Sequence, residues 1–134
     1  MASKLDELPV YQKAMEFWRA VTAILQSPAL RRDRKLHEQI SDANDSITAN
    51  MHEGFEQSTD KAFASFLTHS KGSLAEVLSR VEQAHLKHGV ADDQLRDCRD
   101  RGDELGKMLG GFIKYLLKCD WRDRGRYKLH HPDS

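Results

Sequence analysis

Seven histidines and a plentiful supply of carboxylates are the side chains with chemistry to offer. A ferritin-like di-metal site needs two Glu-x-x-His motifs on different helices and two more inward carboxylates. The chain supplies one such motif, Glu82 to His85, and His88 extends it to His-x-x-His. Both imidazoles fall in the last turn of a predicted helix, where their expected role is to complement its dipole. His37-Glu38 and His52-Glu53 lie about four turns apart on one predicted helix, too far to share an ion. There is no glycine-rich phosphate loop, no Cys-x-x-Cys and no Gly-x-Ser-x-Gly elbow. Ser, His and Asp occur, but a triad is recognised by geometry, not composition. The expectation is a protein that is not an enzyme, with no metal, cofactor or small-molecule substrate.

Cys98 and Cys119 share the last predicted helix, where a rise of about 1.5 Å per residue holds them roughly 30 Å apart. They cannot pair within the chain. Two readings stand: small reduced apolar side chains, or a reactive or intersubunit thiol.

The elements that must position these residues follow from the apolar period. At 134 residues the chain is long enough for one domain with a modest core. Fold class is expected to be all-α, an antiparallel up-and-down four-helix bundle over residues 1–119, with helices at about 9–26, 30–54, 59–88 and 91–118. Its corner lies between Ser46 and Leu74. Gly54 reads as a helix stop, because glycine accepts the left-handed conformation, and Ser58 or Thr59 followed by Asp60 reads as the next start. Leu36, Ile40, Ala43 and Ile47 form one seam. Asn50 falls where the next inward residue should stand, so it is either a structural amide or part of a binding site. Phe63, Leu67, Ser70, Leu74, Val77, Val81 and Ala84 form the longest seam, and Gly89 closes it. Gly72, inside that helix, implies close backbone approach by a neighbour.

Two features point beyond one bundle. The first helix carries a second apolar stripe, Tyr11, Met15, Trp18 and Leu25, beside Val10, Ala14, Phe17, Val21 and Ile24. That width implies either contact with another subunit or deeper embedding in its own bundle. Gly102, Gly106 and Gly110 recur every four residues on the last helix, with Gly111 alongside. Such a ridge admits another helix or subunit, or else is a weak stretch of helix. The expected oligomer interface is therefore Tyr11, Met15, Trp18, Leu25, Gly102, Gly106 and Gly110.

Formal net charge is zero, with 21 basic and 21 acidic residues, so no overall field favours nucleic acid or an anionic membrane. Residues 41–60 are acidic without Lys or Arg, and the last helix carries Lys107, Lys114 and Lys118. Arg31, Arg32, Arg34 and Lys35 are expected to sit near Asp92, Asp93, Asp97 and Asp100, each end of the bundle being neutralised internally. The segment 120–134 interleaves Arg122, Arg124, Arg126 and Lys128 with Trp121 and Tyr127. It reads as a partly flexible tail, with stacking on single-stranded nucleic acid as the other reading. No apolar run is long enough to cross a bilayer and the N-terminus lacks a signal peptide's apolar core, so the cytoplasm is expected.

Laid out this way, the chain resembles the bacterial four-helix-bundle family named after proteins encoded in 23S ribosomal RNA intervening sequences. Three blocks carry the resemblance between Leu8 and Lys118. These are Leu8-Pro9-Val10-Tyr11-Gln12-Lys13-Ala14; Ser46-Ile47 through Asn50 to Glu53-Gly54-Phe55, with Gly72-Ser73-Leu74 and Glu76; and Gly106-Lys107-Met108-Leu109 with Gly111 and Ile113. The family usually has Trp where Tyr11 stands, Pro at Thr48 and a small residue at His52. The resemblance implies a left-handed bundle assembling into a ring, commonly a pentamer, with structural roles for Asn50, Glu53, Gly54, Phe55 and Gly72 and no established catalytic residues. Retroelement accessory proteins that assist a reverse transcriptase look similar in architecture but are strongly basic. By that likeness, the nucleic-acid contacts would be Arg31, Arg32, Arg34, Lys35 and the tail cations.

Overall fold

Proline fixes where the first helices begin. Pro9 opens α1 (Pro9–Ile24) and Pro28 opens α2 (Pro28–Arg32), both where a missing N–H costs nothing. They are followed by α3 (Arg34–Phe55), α4 (Asp60–His88) and α5 (Asp92–Lys118), with a short 3-10 turn at Leu5–Glu7 ahead of α1. The computed structural model describes residues 4–118, which contain no strand. Cys119 and the tail cations Arg122, Arg124, Arg126 and Lys128 lie outside them. Among the described residues no helix is long and apolar enough to cross a membrane.

The seams read from sequence close on one core. Phe17, Val21 and Ile24 from α1 meet Ile40, Ile47 and Met51 from α3, Phe63, Leu67, Val77 and Val81 from α4, and Cys98, Leu105 and Leu109 from α5, all fully or almost fully buried. α3 makes its broadest contact with α4, α4 with α3 and α5, and α5 also with α1, which returns to α3. The side chains that meet follow opposite chain orders. Ile47 O accepts from Ser70 Oγ at 2.7 Å while Ser46 meets Ser73. Tyr11 meets His52 and Trp18 meets Asp45.

The second long helix is shorter than its apolar period suggests. The expected element at 30–54 is broken at Asp33, whose φ of −88° and ψ of 80° are not helical. One Asp33 oxygen accepts from Leu36 N at 3.2 Å, capping α3, and the other meets His88 Nε2 at 2.8 Å. Both bonds need Asp33 outside the helix. They hold its carboxyl below the usual range, the His88 bond most and the Leu36 amide next.

Thr59 opens α4, its Oγ1 accepting from Ala62 N at 3.1 Å, and Gly89 closes it with a φ of 70°. Gly54 does something else. It lies inside the last turn of α3, and Gly89 holds the one positive φ among the described residues. A β-carbon at Gly54 would lie 2.8 Å from Phe63 Cδ1 and 2.9 Å from Phe66 Cβ. The glycine therefore admits α4's aromatics at the corner and does not turn the chain. At Gly72 the expectation of a close neighbour fails: the residue is exposed, with nothing within 4 Å of where a β-carbon would stand.

Two outcomes follow for stability. Gly54→Ala overpacks a closed corner and should cost about 1–3 kcal/mol in urea denaturation, whereas Gly72→Ala relieves helix entropy and should gain about 0.5–1 kcal/mol. Asp33→Ala should lower the melting temperature at neutral pH. Because the native Asp33 carboxyl titrates below its ordinary 3.8, the wild-type advantage holds above that pH and fades as pH falls through the native value, which a pH series of thermal melts reads directly.

Candidate interaction surfaces

The second stripe of α1 does not present a bare apolar face. Tyr11 Oη lies 2.9 Å from His52 Nε2, with the rings edge to face at 5.3 Å, and Trp18 Nε1 donates to Asp45 Oδ1 at 2.9 Å. Burial, with Asp6 nearby, raises the Tyr11 phenol above its usual pKa. Tyr11, Met15 and Trp18 are half-buried, and the polar tips of Tyr11 and Trp18 tie the stripe to α3. Leu25, expected at an interface between subunits, is instead buried in its own bundle at 7% exposure.

The glycine ridge of α5 meets α4 of the same chain. Beneath Leu78, Leu74 and Lys71 lie Gly102, Gly106 and Gly110, in reverse order. Gly102 is buried: a β-carbon there would sit 2.7 Å from Leu78 Cδ2 and 3.2 Å from Phe17 Cε1, so its role is intrachain packing, not the outer surface expected. Gly106 and Gly110 are half-exposed. With Leu74, Lys71, Lys107 and Lys114 they line an open groove of about 670 Å³. Among the described residues none of these lysines has a carboxylate within 4.0 Å.

A second hollow, of about 270 Å³, lies where α1, α2 and α3 meet, lined by residues including Trp18, Arg31, His37, Ser41, Asn44 and Asp45. Asn44 is 1% exposed; its Nδ2 donates to Trp18 O at 3.3 Å and its Oδ1 has no partner. Sequence reading passed over Asn44 in favour of Ala43, although Ile40, Asn44, Ile47 and Met51 also step by four, three and four. Asn50, half-buried, donates to Ser46 O at 2.8 Å and Ser46 Oγ at 3.0 Å, and Ser73 carries that link to α4. Phe55 is buried edge to face on Phe63, and Glu53 is exposed.

The basic cluster is not neutralised as expected. Asp33 and Asp92 meet His88 and His85, and Asp97 holds Arg101 at 3.1 Å, which also reaches Glu16 at 3.0 Å. Those contacts, Asp97 first, raise the Arg101 pKa. Arg31, Arg32, Arg34 and Lys35 are exposed, with no carboxylate within 4.0 Å among the described residues. His85 Nδ1 contacts Val90 O at 2.6 Å, so both histidines at the end of α4 are occupied in holding its exit.

Helices closed on one apolar core define a small helical-bundle protein. The chain belongs to the 23S rRNA-intervening sequence protein family, whose model matches residues 6–111. Its fold is similar to the crystal structure of a protein with unknown function from the S23 ribosomal protein family of Bacteroides thetaiotaomicron VPI-5482. The TM-score is 0.69 at 21% identity, covering 78% of this chain and 98% of that one, a likeness of fold alone. No curated protein gives a significant match.

Burial, and secondarily Asp97, pushes the Cys98 thiol up to about 12. A thiol held protonated and out of solvent is inert. In a Cys119→Ser background, Cys98 should resist iodoacetamide at mildly alkaline pH and react fully once urea unfolds the chain; rapid native labelling would contradict its burial.

Proposed function

We propose that this protein is a non-enzymatic, self-assembling module: an antiparallel, left-handed up-and-down four-helix bundle whose copies close into a ring, most simply a pentamer, that serves as a binding scaffold. Opposite chain order where α3 meets α4, where α1 meets α3 and where α4 meets α5 supports the up-and-down arrangement. The non-enzymatic reading is supported by how the titratable clusters are used, since Asp33, His85, His88 and Asp92 hold helix ends together.

One observation carries the assembly. The groove on the α4–α5 side bears Lys71, Lys107 and Lys114 against one acid, Asp103, while the exposed face of α3 bears Asp42 and Glu53, with Glu56 just past its end, and among the described residues neither the lysines nor these three acids have an ion-pair partner. In the cycle of helix contacts, α3 and α1 lie across from α4 and α5. Opposite charges on opposite sides favour a head-to-tail contact, the kind that closes into rings. Gly106 and Gly110 give the groove its depth, and Met15 and Trp18 continue the facing side.

Light scattering should give the wild-type chain a mass several times 15.4 kDa, five-fold for the pentamer. Lys71→Glu with Lys107→Glu and Lys114→Glu should yield single subunits, and adding Asp42→Lys and Glu53→Lys in the same chain should restore the larger mass. A wild-type protein that stays at one subunit at high concentration overturns the proposal.

A further inference from the structure

The groove between α4 and α5 has two unlike halves. Lys71 Nζ lies 3.5 Å from where a β-carbon of Gly110 would stand, and Lys107 and Lys114 come three residues before and four after that glycine, on the same side of α5. Three ammonium groups thus gather round Gly110, exposed and with no carboxylate within 4.0 Å among the described residues. The other half runs toward Gly102, walled by Leu74, Ala75 and Leu78. Gly106 keeps its floor low, since a β-carbon there would already touch Leu74 Cδ2 at 3.6 Å. Asp103 marks the far end, about 10 Å along the helix axis from the level of Gly110.

What the lining lacks narrows the ligand. None of the residues that line the groove carries a hydroxyl, a side-chain amide or an aromatic ring. A sugar therefore finds few hydrogen-bonding partners, and a nucleobase has nothing to stack on. An inorganic anion uses the ammonium groups but leaves the hydrocarbon wall wet. A single-chain molecule with one anionic head uses both halves, and Asp103 repels a second negative charge at the tail end. We infer that the groove binds a medium-chain monocarboxylate, its head among Lys71, Lys107 and Lys114 and its chain along Leu74, Ala75 and Leu78. The open space of about 670 Å³ falls within the range of small-ligand sites. A carboxylate is also what the groove receives from a second copy in the proposed assembly, so a bound ligand displaces that copy and the ring comes apart. The choice of head and this regulation rest on that reading, whereas the site lies within one chain.

Octanoate tests the site first in the Asp42→Lys, Glu53→Lys chain, which lacks the acids of the proposed contact between copies. The amide resonances of Gly106 and Gly110 should shift and saturate as octanoate is added. Acetate and octanol, each lacking one half of the ligand, and octanedioate, with its second carboxylate, should bind at least about tenfold more weakly. Changing Lys71, Lys107 and Lys114 to Gln should weaken octanoate by a similar factor, and because all three are exposed and unpaired the fold is kept. Unmoved glycine resonances, equal binding of acetate or octanol, or unchanged affinity in the glutamine variant would each overturn the site. In the wild-type chain, octanoate should lower the mass read by light scattering toward one subunit. A larger mass that holds while the site fills overturns the regulation, and a wild-type chain already at one subunit without ligand overturns the assembly on which the regulation rests.

Discussion

The bundle is organised by how closely α3 can approach α4. At Gly54 the backbone of α3 lies against the ring of Phe63 and the β-carbon of Phe66, an approach that a single methyl group would prevent. Further along the same contact, Ser70 reaches across to the carbonyl of Ile47, and Ser46, Ser73 and Asn50 form a second link. Small residues and hydroxyls thus draw these helices together, and the apolar seams on either side set the core. Buried hydroxyl-to-carbonyl bonds contribute about 1 kcal/mol each. Their larger effect is on register, because a slip of the helices would leave Ser70 buried without a partner.

Helix α1 is held differently. Apart from the bond of buried Asn44 to the Trp18 carbonyl, its polar ties described above and the pair Lys13–Glu104 lie on partly exposed surface. Exposed ion pairs contribute about 0–1 kcal/mol each and weaken with salt. The adhesion of α1 therefore comes mainly from Phe17, Val21 and Ile24, which are essentially inaccessible to water. Its second stripe is neither a free hydrophobic face nor a sealed one. Aromatic bodies anchored by polar tips can remain in place whether or not another surface covers them.

Much of the fold was legible because it rests on local chemistry. Pro9, Thr59 and Gly89 mark helix ends through rules that act within a few residues, and the α4 seam kept its period over the whole element. The misreadings share a cause, which is dependence on partners distant in sequence. Asp33 interrupts a polar run whose period says helix, and its reason to break lies in His88, 55 positions on. Gly54 was recognised as special for its place but not for its purpose, since Phe63 and Phe66 define it. Leu25 is buried in the core cluster, which its place on the outer stripe does not announce. Of the candidate surfaces, the basic cluster was visible in sequence, whereas Asn44 stood one position from Ala43 on the same inward side, and the structure buries both.

Asp33 serves two helices with one carboxylate, starting α3 and holding the exit of α4. Each residue added or removed just after it would rotate the whole of α3 by about 100° relative to that anchor. Lineages carrying this arrangement can vary freely in the length of residues 56–59 only as far as the tight corner at Gly54 allows, and at the α2–α3 joint scarcely at all. Change at that joint is confined to exchanging one residue for another, so relatives should keep their spacing there even where little else in the sequence is shared.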